Sequence, residues 1–405
     1  MKILQLVHGA PPDRRGGVEN STRELSLALG ERHAIRTLTF DARRSWKAGM
    51  TVETDRDGPV TLHRLPWPSR KPARRDPAPV RAALAALLED RPDLVVVQHF
   101  MRFPKDLLAP VRDRGLPIVV HLHDLWWICP TWRLLDHNLE PCSGPEPSRC
   151  LRCVAGPVGA LEAWRRKPRF RRRAEEHRRL LNAADRLVAN SAWTLERHRE
   201  FGVTTAADVV APIFPRPELL ALRDRPRERR SGPLRVGFVG RLQVIKGGRE
   251  LLAAVRRRPE VILDVHGPVD PDLSAEAEAA AAESEGRVRL HGPYEPAELP
   301  EILAGLDLVA SPTRFPEPYG LVVDEARMAG VPVLATSLGG VAERVRDGAE
   351  GLLVEPGSAD AIAARLAEAA ERRAELSERA RSASPPDAAG TAARIEAIWA
   401  EVAGA

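Results

Sequence analysis

Lysine is scarce in this chain of 405 residues: only six of its 61 basic residues are Lys and the rest are Arg. With abundant Ala and Pro, that bias reads as the codon usage of a GC-rich genome. The formal net charge of +5 is therefore weak evidence for a nucleic-acid partner, and none is expected. Aromatic residues make up 4%, so aliphatic side chains must fill the cores. No stretch approaches the roughly 18 consecutive apolar residues that a membrane-spanning helix needs. The opening segment Met1-Lys2-Ile3-Leu4-Gln5-Leu6-Val7 is too short an apolar run for a secretory leader, and no small-residue cleavage site follows it cleanly. It reads as a first strand, and a cytoplasmic location with reduced thiols is expected. Four cysteines do not make a disulfide scaffold in a chain of this length. What is present, 43% apolar and 29% charged residues, is too apolar for disorder and ordinary for a globular protein.

Short aliphatic runs alternate with helical stretches from end to end. The runs fall at 3–7, 35–40, 94–98, 118–123, 187–190 and 209–211, then at 236–239, 261–266, 288–291, 308–311, 333–335 and 351–354. Stretches such as 81–89 and 275–283 have helical character. Near-continuous aliphatic strands between helices imply parallel sheets covered on both faces. The count is too large for one sheet, and a (β/α)₈ barrel is the rival arrangement. Pro212, Pro215, Pro217, Pro226 and Pro233 cluster at the midpoint with Arg-rich sequence between them, which reads as a linker and argues against a barrel. The expected organisation is α/β with two Rossmann-like domains: 1–212, a linker at 213–233, and 234–384. Ser384-Pro385-Pro386 then precedes a separate helix within 385–405.

The chemistry-bearing motifs sit at strand-to-helix turns. Gly16-Gly17-Val18-Glu19 follows the first run, and glycines there let backbone amides approach an anion at a helix N-terminus. The spacing is not GxGxxG, so a nicotinamide cofactor is not favoured. The second domain opens with Val236-Gly237-Phe238-Val239-Gly240-Arg241-Leu242 and then Lys246-Gly247. Two cations just past a first strand suit a diphosphate, and Lys246 is informative because Lys is so rare here. A third segment, Arg314 to Ala326, follows the run at 308–311, with Gly320-Leu321 starting a helix. Free amides there suit a phosphate. Glu325 inside that helix suits a ribose diol, and Glu317 in the preceding loop reaches the other end of the same ligand. Asp270-Pro271-Asp272 has the form of a metal-binding DxD but reads as a loop leading into a helix.

Four pieces in this order carry a family resemblance: Gly16-Gly17-Val18-Glu19, Gly240-Arg241-x4-Lys246-Gly247, the E-x7-E pair Glu317 and Glu325, and Gly330-Val331-Pro332-Val333 through Gly339-Gly340-x2-Glu343 with Gly351-Leu352-Leu353-Val354. The chain resembles the GT-B glycosyltransferases of family 4, most strongly over 236–356. The resemblance implies two Rossmann-like domains around a cleft, with a C-terminal helix crossing back to the first. It implies retaining transfer of a sugar from a nucleotide-diphosphate sugar, UDP favoured over GDP, to a hydroxyl acceptor in polysaccharide, glycolipid or glycosylated natural-product synthesis. Arg241 and Lys246 would neutralise the diphosphate, with no metal or other cofactor needed for the chemistry. The Gly16-Gly17 turn and the Gly320 and Leu321 amides would hold the donor. Glu317 would bind its sugar and Glu325 its ribose. His123, in His121-Leu122-His123-Asp124, would hydrogen-bond near the reacting groups, with His99 a weaker candidate. A sugar-nucleotide epimerase of the same fold is the alternative.

Two features lie outside those motifs. Cys129, Cys142, Cys150 and Cys153 follow the His-Asp pair as C-x12-C-x7-C-x2-C, in a loop at 125–155. A structural Zn²⁺, two disulfides or four free thiols all fit that spacing. A subset of the bacterial family carries a similar insert. Trp126, Trp127 and Trp132 form either a ligand-facing wall or local core. From Arg165 to Arg179 nine residues are Arg or Lys and two are Glu. That basic stretch suits peripheral docking on an anionic membrane, an anionic acceptor, or a plain solvated helix. A zinc-knuckle nucleic-acid binder is the remote third reading.

Overall fold

The computed structural model describes residues 1–14, 16–45, 51–67, 77–214, 216–225 and 232–404. Two compact units emerge. The first comprises Met1–Trp132, Gly144–Phe214 and the stretch from Ala388 onward; the second comprises Arg133–Ser143 and Pro215–Asp387.

The first unit holds β1 (Lys2–Leu6), β2 (Ala34–Ser45), β3 (Glu53–Asp57), β4 (Val60–Trp67), β5 (Leu94–Val97), β6 (Ile118–Leu122), β7 (Arg186–Ala189) and β8 (Ala207–Val209). They form one sheet in the order β3-β4-β2-β1-β5-β6-β7-β8. All neighbours are parallel except the antiparallel β3–β4 edge hairpin, where Asp57 faces Val60. β5 and β6 are buried along their whole length, as parallel strands covered on both faces must be. The second unit holds β9 (Leu234–Val239), β10 (Val261–His266), β11 (Val288–Gly292), β12 (Leu308–Ser311), β13 (Val333–Thr336) and β14 (Gly351–Val354). Its all-parallel order is β11-β10-β9-β12-β13-β14. Two doubly wound α/β sheets are present, as expected, and the described residues form no barrel. Eleven of the twelve aliphatic runs lie largely on a strand, the run at 209–211 meets β8 only at Val209, and β3 and β4 are additional.

Helix Thr391–Ala403 belongs to the first unit. Its Ile395, Ile398 and Trp399, at i, i+3 and i+4, enter the core made by Ile3, Leu29, Val96 and Val119. Glu396 takes both Arg32 (2.6 Å) and His33 (2.6 Å), and Trp399 Nε1 lies 3.3 Å from His121 Nε2. Three boundaries differ from expectation. The midpoint span contains helix Pro217–Asp224, whose Leu219 and Leu222 are buried and whose Arg223 donates to the carbonyls of Arg327 and Arg381. That helix is part of the second unit rather than linker; 226–231 and Pro215 lie outside the described residues. The break between units falls at 214/215. Within the Cys-rich loop, 133–143 joins the second unit, where Leu135 packs on Ile245 and Phe315. Polar sequence hid this, because only two aliphatic side chains anchor it.

Candidate functional site

In the second unit the turns after β9 and β12 are tied together. Arg314 N–H and Thr313 Oγ1 both donate to Ile245 O (2.9 and 3.3 Å), and Arg314 Nη1 donates to Glu250 Oε1 (2.6 Å). This lashing brings Lys246 Nζ to 3.7 Å from Glu317 Oε1. Gly247 has φ +74°, and a Cβ there would collide with the carbonyl oxygen of Pro312, so only glycine lets the two turns approach this closely. Gly339 has φ +73°; a Cβ there would stand 2.6 Å from Glu317 O, while Gly340 N–H donates to that same oxygen (2.9 Å). The Gly339-Gly340 pair thus fixes the backbone that carries Glu317.

Gly320 caps helix Leu321–Met328 in the left-handed region, φ +79°. The free first-turn amides point from that end, a ready anion site. Glu325, within the helix, lies 3.5 Å from Arg216. Burial raises its pKa above the ordinary glutamate value, with Arg216 opposing. Tyr294 stands near Glu325, and burial pushes its hydroxyl up to about 12. Behind the helix, Asp324 is wholly buried and takes Arg327 (2.8 Å), Arg344 and the Tyr319 hydroxyl. Arg241 is more exposed and pairs with Asp270 (3.1 Å), which also accepts from Gln243 (2.5 Å). Asp270 leads helix Pro271–Glu283, so the DxD look-alike is a helix-leading loop that orients Arg241.

The first unit has its own polar cluster at the ends of β1, β5 and β6. His8 Nε2 sits 3.1 Å from Glu19 Oε1, and Arg14 adds 2.9 Å. A Cβ on Gly16 would stand 2.6 Å from Glu19 Oε2, so the Gly16-Gly17 turn lets Glu19 fold back beneath the helix start. Burial works to raise Glu19, but the bonds from His8 and Arg14 hold it down to about 2. Burial lowers His8 to about 4. His123 Nε2 donates to Gln98 Oε1 (2.9 Å), and Asn190 Nδ2 donates to His123 O (2.7 Å). Burial, with His99 nearby, lowers His123 to about 4, so it is neutral at pH 7. His99 Nε2 lies 3.2 Å from Asp124 Oδ2, and His8 and His99 rings are 4.3 Å apart. Among the described residues Gln98 Nε2 and His8 Nδ1 are buried with no hydrogen-bond partner. Buried orphans of this kind cost about 1–3 kcal/mol each, which a hydroxyl-bearing ligand would offset.

Lys246, Glu317, Gly320, Leu321, Glu325 and Arg241 therefore share the second unit, and Gly16, Gly17 and His123 the first. Glu19, His8, Gln98, Arg216 and Tyr294 were not singled out as site residues in the sequence. Glu19 was visible only as the fourth residue of the glycine turn; the other four carry no spacing signal.

Among the described residues no group of three or more His, Cys, Asp or Glu side chains is placed to hold a metal, and no disulfide joins any pair of cysteines. Cys142 belongs to the second unit and the other three to the first. Arg173 lies near Cys129 and Cys150. Trp127 is core, at 2% exposure, and Trp126 lies between His99 and His177. The basic stretch lies on helix Ala160–Asn182, which exposes Leu161 (63%) and Trp164 (73%). No helix among the described residues is long and apolar enough to cross a membrane.

Two family models match: "Glycosyl transferases group 1" over 223–385 and "Glycosyltransferase Family 4" over 15–212. D-inositol 3-phosphate glycosyltransferase of Arthrobacter sp. (strain FB24) is 33% identical over 205 residues, 47% of this chain and 48% of that protein. The same enzyme of Paenarthrobacter aurescens (strain TC1) is 28% identical over 84% of this chain and 81% of its own length. The chain spans less than half the length of several of the curated relatives it matches. Among solved structures, Anabaena HepE in complex with UDP superposes with a TM-score of 0.68 at 20% identity, covering 99% of this chain and 100% of that one.

Proposed function

Because the chain belongs to the GT-B glycosyltransferases of family 4, we propose that it moves a sugar, with retention, from a nucleotide-diphosphate sugar to a hydroxyl acceptor. UDP is the favoured nucleotide. The observation that carries this reading is the 3.7 Å approach of Lys246 to Glu317 at the end of β9 and β12, beside the capped start of helix Leu321–Met328. A cation, a carboxylate and free helix amides converge there within one unit. The diphosphate lies on Lys246, Arg241 and the Gly320–Leu321 amides, which take up the negative charge that grows as the bond from anomeric carbon to phosphate oxygen breaks. The chain supplies these cations itself, and no cofactor enters the scheme. The acceptor oxygen bonds to the same face, and its proton passes to the leaving phosphate. Glu317 holds the transferred sugar and Glu325 the ribose. Neutral His123, oriented by Gln98, hydrogen-bonds rather than acting as the base. The acceptor belongs to polysaccharide, glycolipid or natural-product synthesis. Exposed Leu161 and Trp164 beside the basic run support peripheral contact with an anionic membrane. The names of the relatives do not favour the epimerase alternative.

Calorimetry with bare nucleotide tests the division of labour. Glu325→Ala should weaken UDP binding at least tenfold, whereas Glu317→Ala should bind bare UDP as the parent does and lose transfer. Equal weakening by the two substitutions would overturn the assignment. No stabilisation by UDP, GDP or ADP in a thermal-shift series would overturn the donor site itself.

A further inference from the structure

Helix Ala160–Asn182 does more than present a basic face. Its inner side, with the segments 127–130 and 201–203, encloses a cavity of about 320 Å³ wholly within the first unit. Much of the lining is apolar, with Trp127, Ile128, Phe170, Phe201 and Val203 among its residues. Protein interiors are packed to the density of organic crystals, so a void of this size is not a packing defect. It reaches the lower end of the roughly 300–1,000 Å³ that small-molecule sites occupy.

Arg171, Arg173, Glu175 and Arg178 also line it, and among these Arg173 stands apart. Arg173 points inward, donates to Trp126 O and lies over the Trp126 ring, 5.3 Å from its centroid. Burial lowers its pKa to about 10. Buried cations are ordinarily paired with a carboxylate. Among the described residues none stands within ion-pair distance of Arg173. The nearby Asp124 is engaged by His99 and by the amide of Trp126 (2.8 Å). On the next turn Arg178, by contrast, is matched by Glu175 at 2.6 Å. The cavity thus offers a largely apolar lining and, at Arg173, a positive charge with no carboxylate within ion-pair distance among the described residues.

We propose that this cavity binds an anionic amphiphile, a single apolar chain ending in a phosphate or carboxylate, with the chain against Trp127, Phe170 and Phe201 and the anionic end on Arg173. An anion without an apolar chain leaves the walls unfilled, and a neutral chain leaves the guanidinium unmatched. Both parts are needed. The site is separate from Lys246, Arg241, Glu317 and Glu325, which lie in the other unit.

Dodecyl phosphate, kept below its micelle concentration and titrated into the full chain by calorimetry, is the probe. It should bind one to one, with dodecanol and inorganic phosphate each at least tenfold weaker. Arg173→Met, which keeps the length and removes the charge, should weaken it at least tenfold. Ala174→Phe, which fills the cavity from a helical position, should abolish it. UDP binding unchanged in both variants shows that the chain is folded and keeps this test independent of the donor reading. Failure of dodecyl phosphate to bind the parent, or equal affinity in parent and both variants, overturns the proposal. Given binding, flotation with vesicles of phosphatidylglycerol in phosphatidylcholine identifies the source. Flotation lost in Ala174→Phe makes the ligand a bilayer lipid, and flotation retained makes it a free molecule.

Discussion

Lys246→Ala is expected to lower kcat/KM for transfer by roughly 30- to 1,000-fold, with the fold intact. Deleting one preorganised donor to a developing oxyanion costs about 2–4 kcal/mol, and each 1.4 kcal/mol is a factor of ten. Lys246 is part-buried and held against Glu317 by the lashed turns, so the charge it loses is not replaced by a flexible neighbour. The loss should appear mainly in kcat, because the ammonium matters most when the diphosphate is leaving. Arg241→Ala should do less, since Arg241 is exposed and shares its charge with Asp270. Turnover within threefold of the parent for Lys246→Ala at saturating UDP-sugar would sink the placement of the diphosphate. Circular dichroism on the same sample guards against an unfolded variant.

The second large effect is loss of the first unit's stability in mild acid. Burial, the dominant cause in each case, holds His8, His123 and His198 at about 4 and His177 at about 3, all below the ordinary 6.5. These are depressed pKa values on bases. The unfolded chain therefore takes up protons below 6.5 that the folded one refuses. Their contribution is complete above about pH 6.5 and drains away as pH falls toward 4. Each histidine contributes a slope of up to about 1.4 kcal/mol per pH unit across that window. Glu19 and Asp124, held near 2, add their own loss only below about pH 4. A series of urea melts from pH 7.5 to 4.5 should therefore show a steep fall beginning near 6.5. A midpoint that does not move between pH 7 and 4.5 would contradict the buried neutral histidines.

Much of this architecture was open to reading because parallel strands buried on both faces have to be aliphatic throughout. Runs such as Leu94–Val97 and Val333–Thr336 stand out for that reason. The β3–β4 hairpin did not stand out, since β3 is the polar, exposed segment Glu53–Asp57 at a sheet edge. Its one signal was the Asp57-Gly58 pair. On the site side, Lys246, Glu317 and Glu325 were legible because rare residue types fall at fixed distances from glycine turns. Gln98 and His8 were not, because strand ends bring them to His123 across the sheet order β1-β5-β6, which no local spacing encodes. The C-x2-C spacing places Cys150 and Cys153 on one helix, Pro147–Ala155.

Helix Thr391–Ala403 has a consequence for how the polypeptide emerges from the ribosome. Trp399 and Ile395 complete the first unit's core, yet they are synthesised after the whole of the second unit's sequence. Until then one face of the first sheet, with Leu29, Val96 and Val119, lacks its cover. The second unit, apart from its short 133–143 segment, is contiguous and can close on itself first. Folding order should therefore run opposite to the usual N-to-C sequence of domains, with the first unit held as an incomplete, chaperone-accessible body until the last helix docks. Non-local closure of this kind also makes the first unit the slower folder.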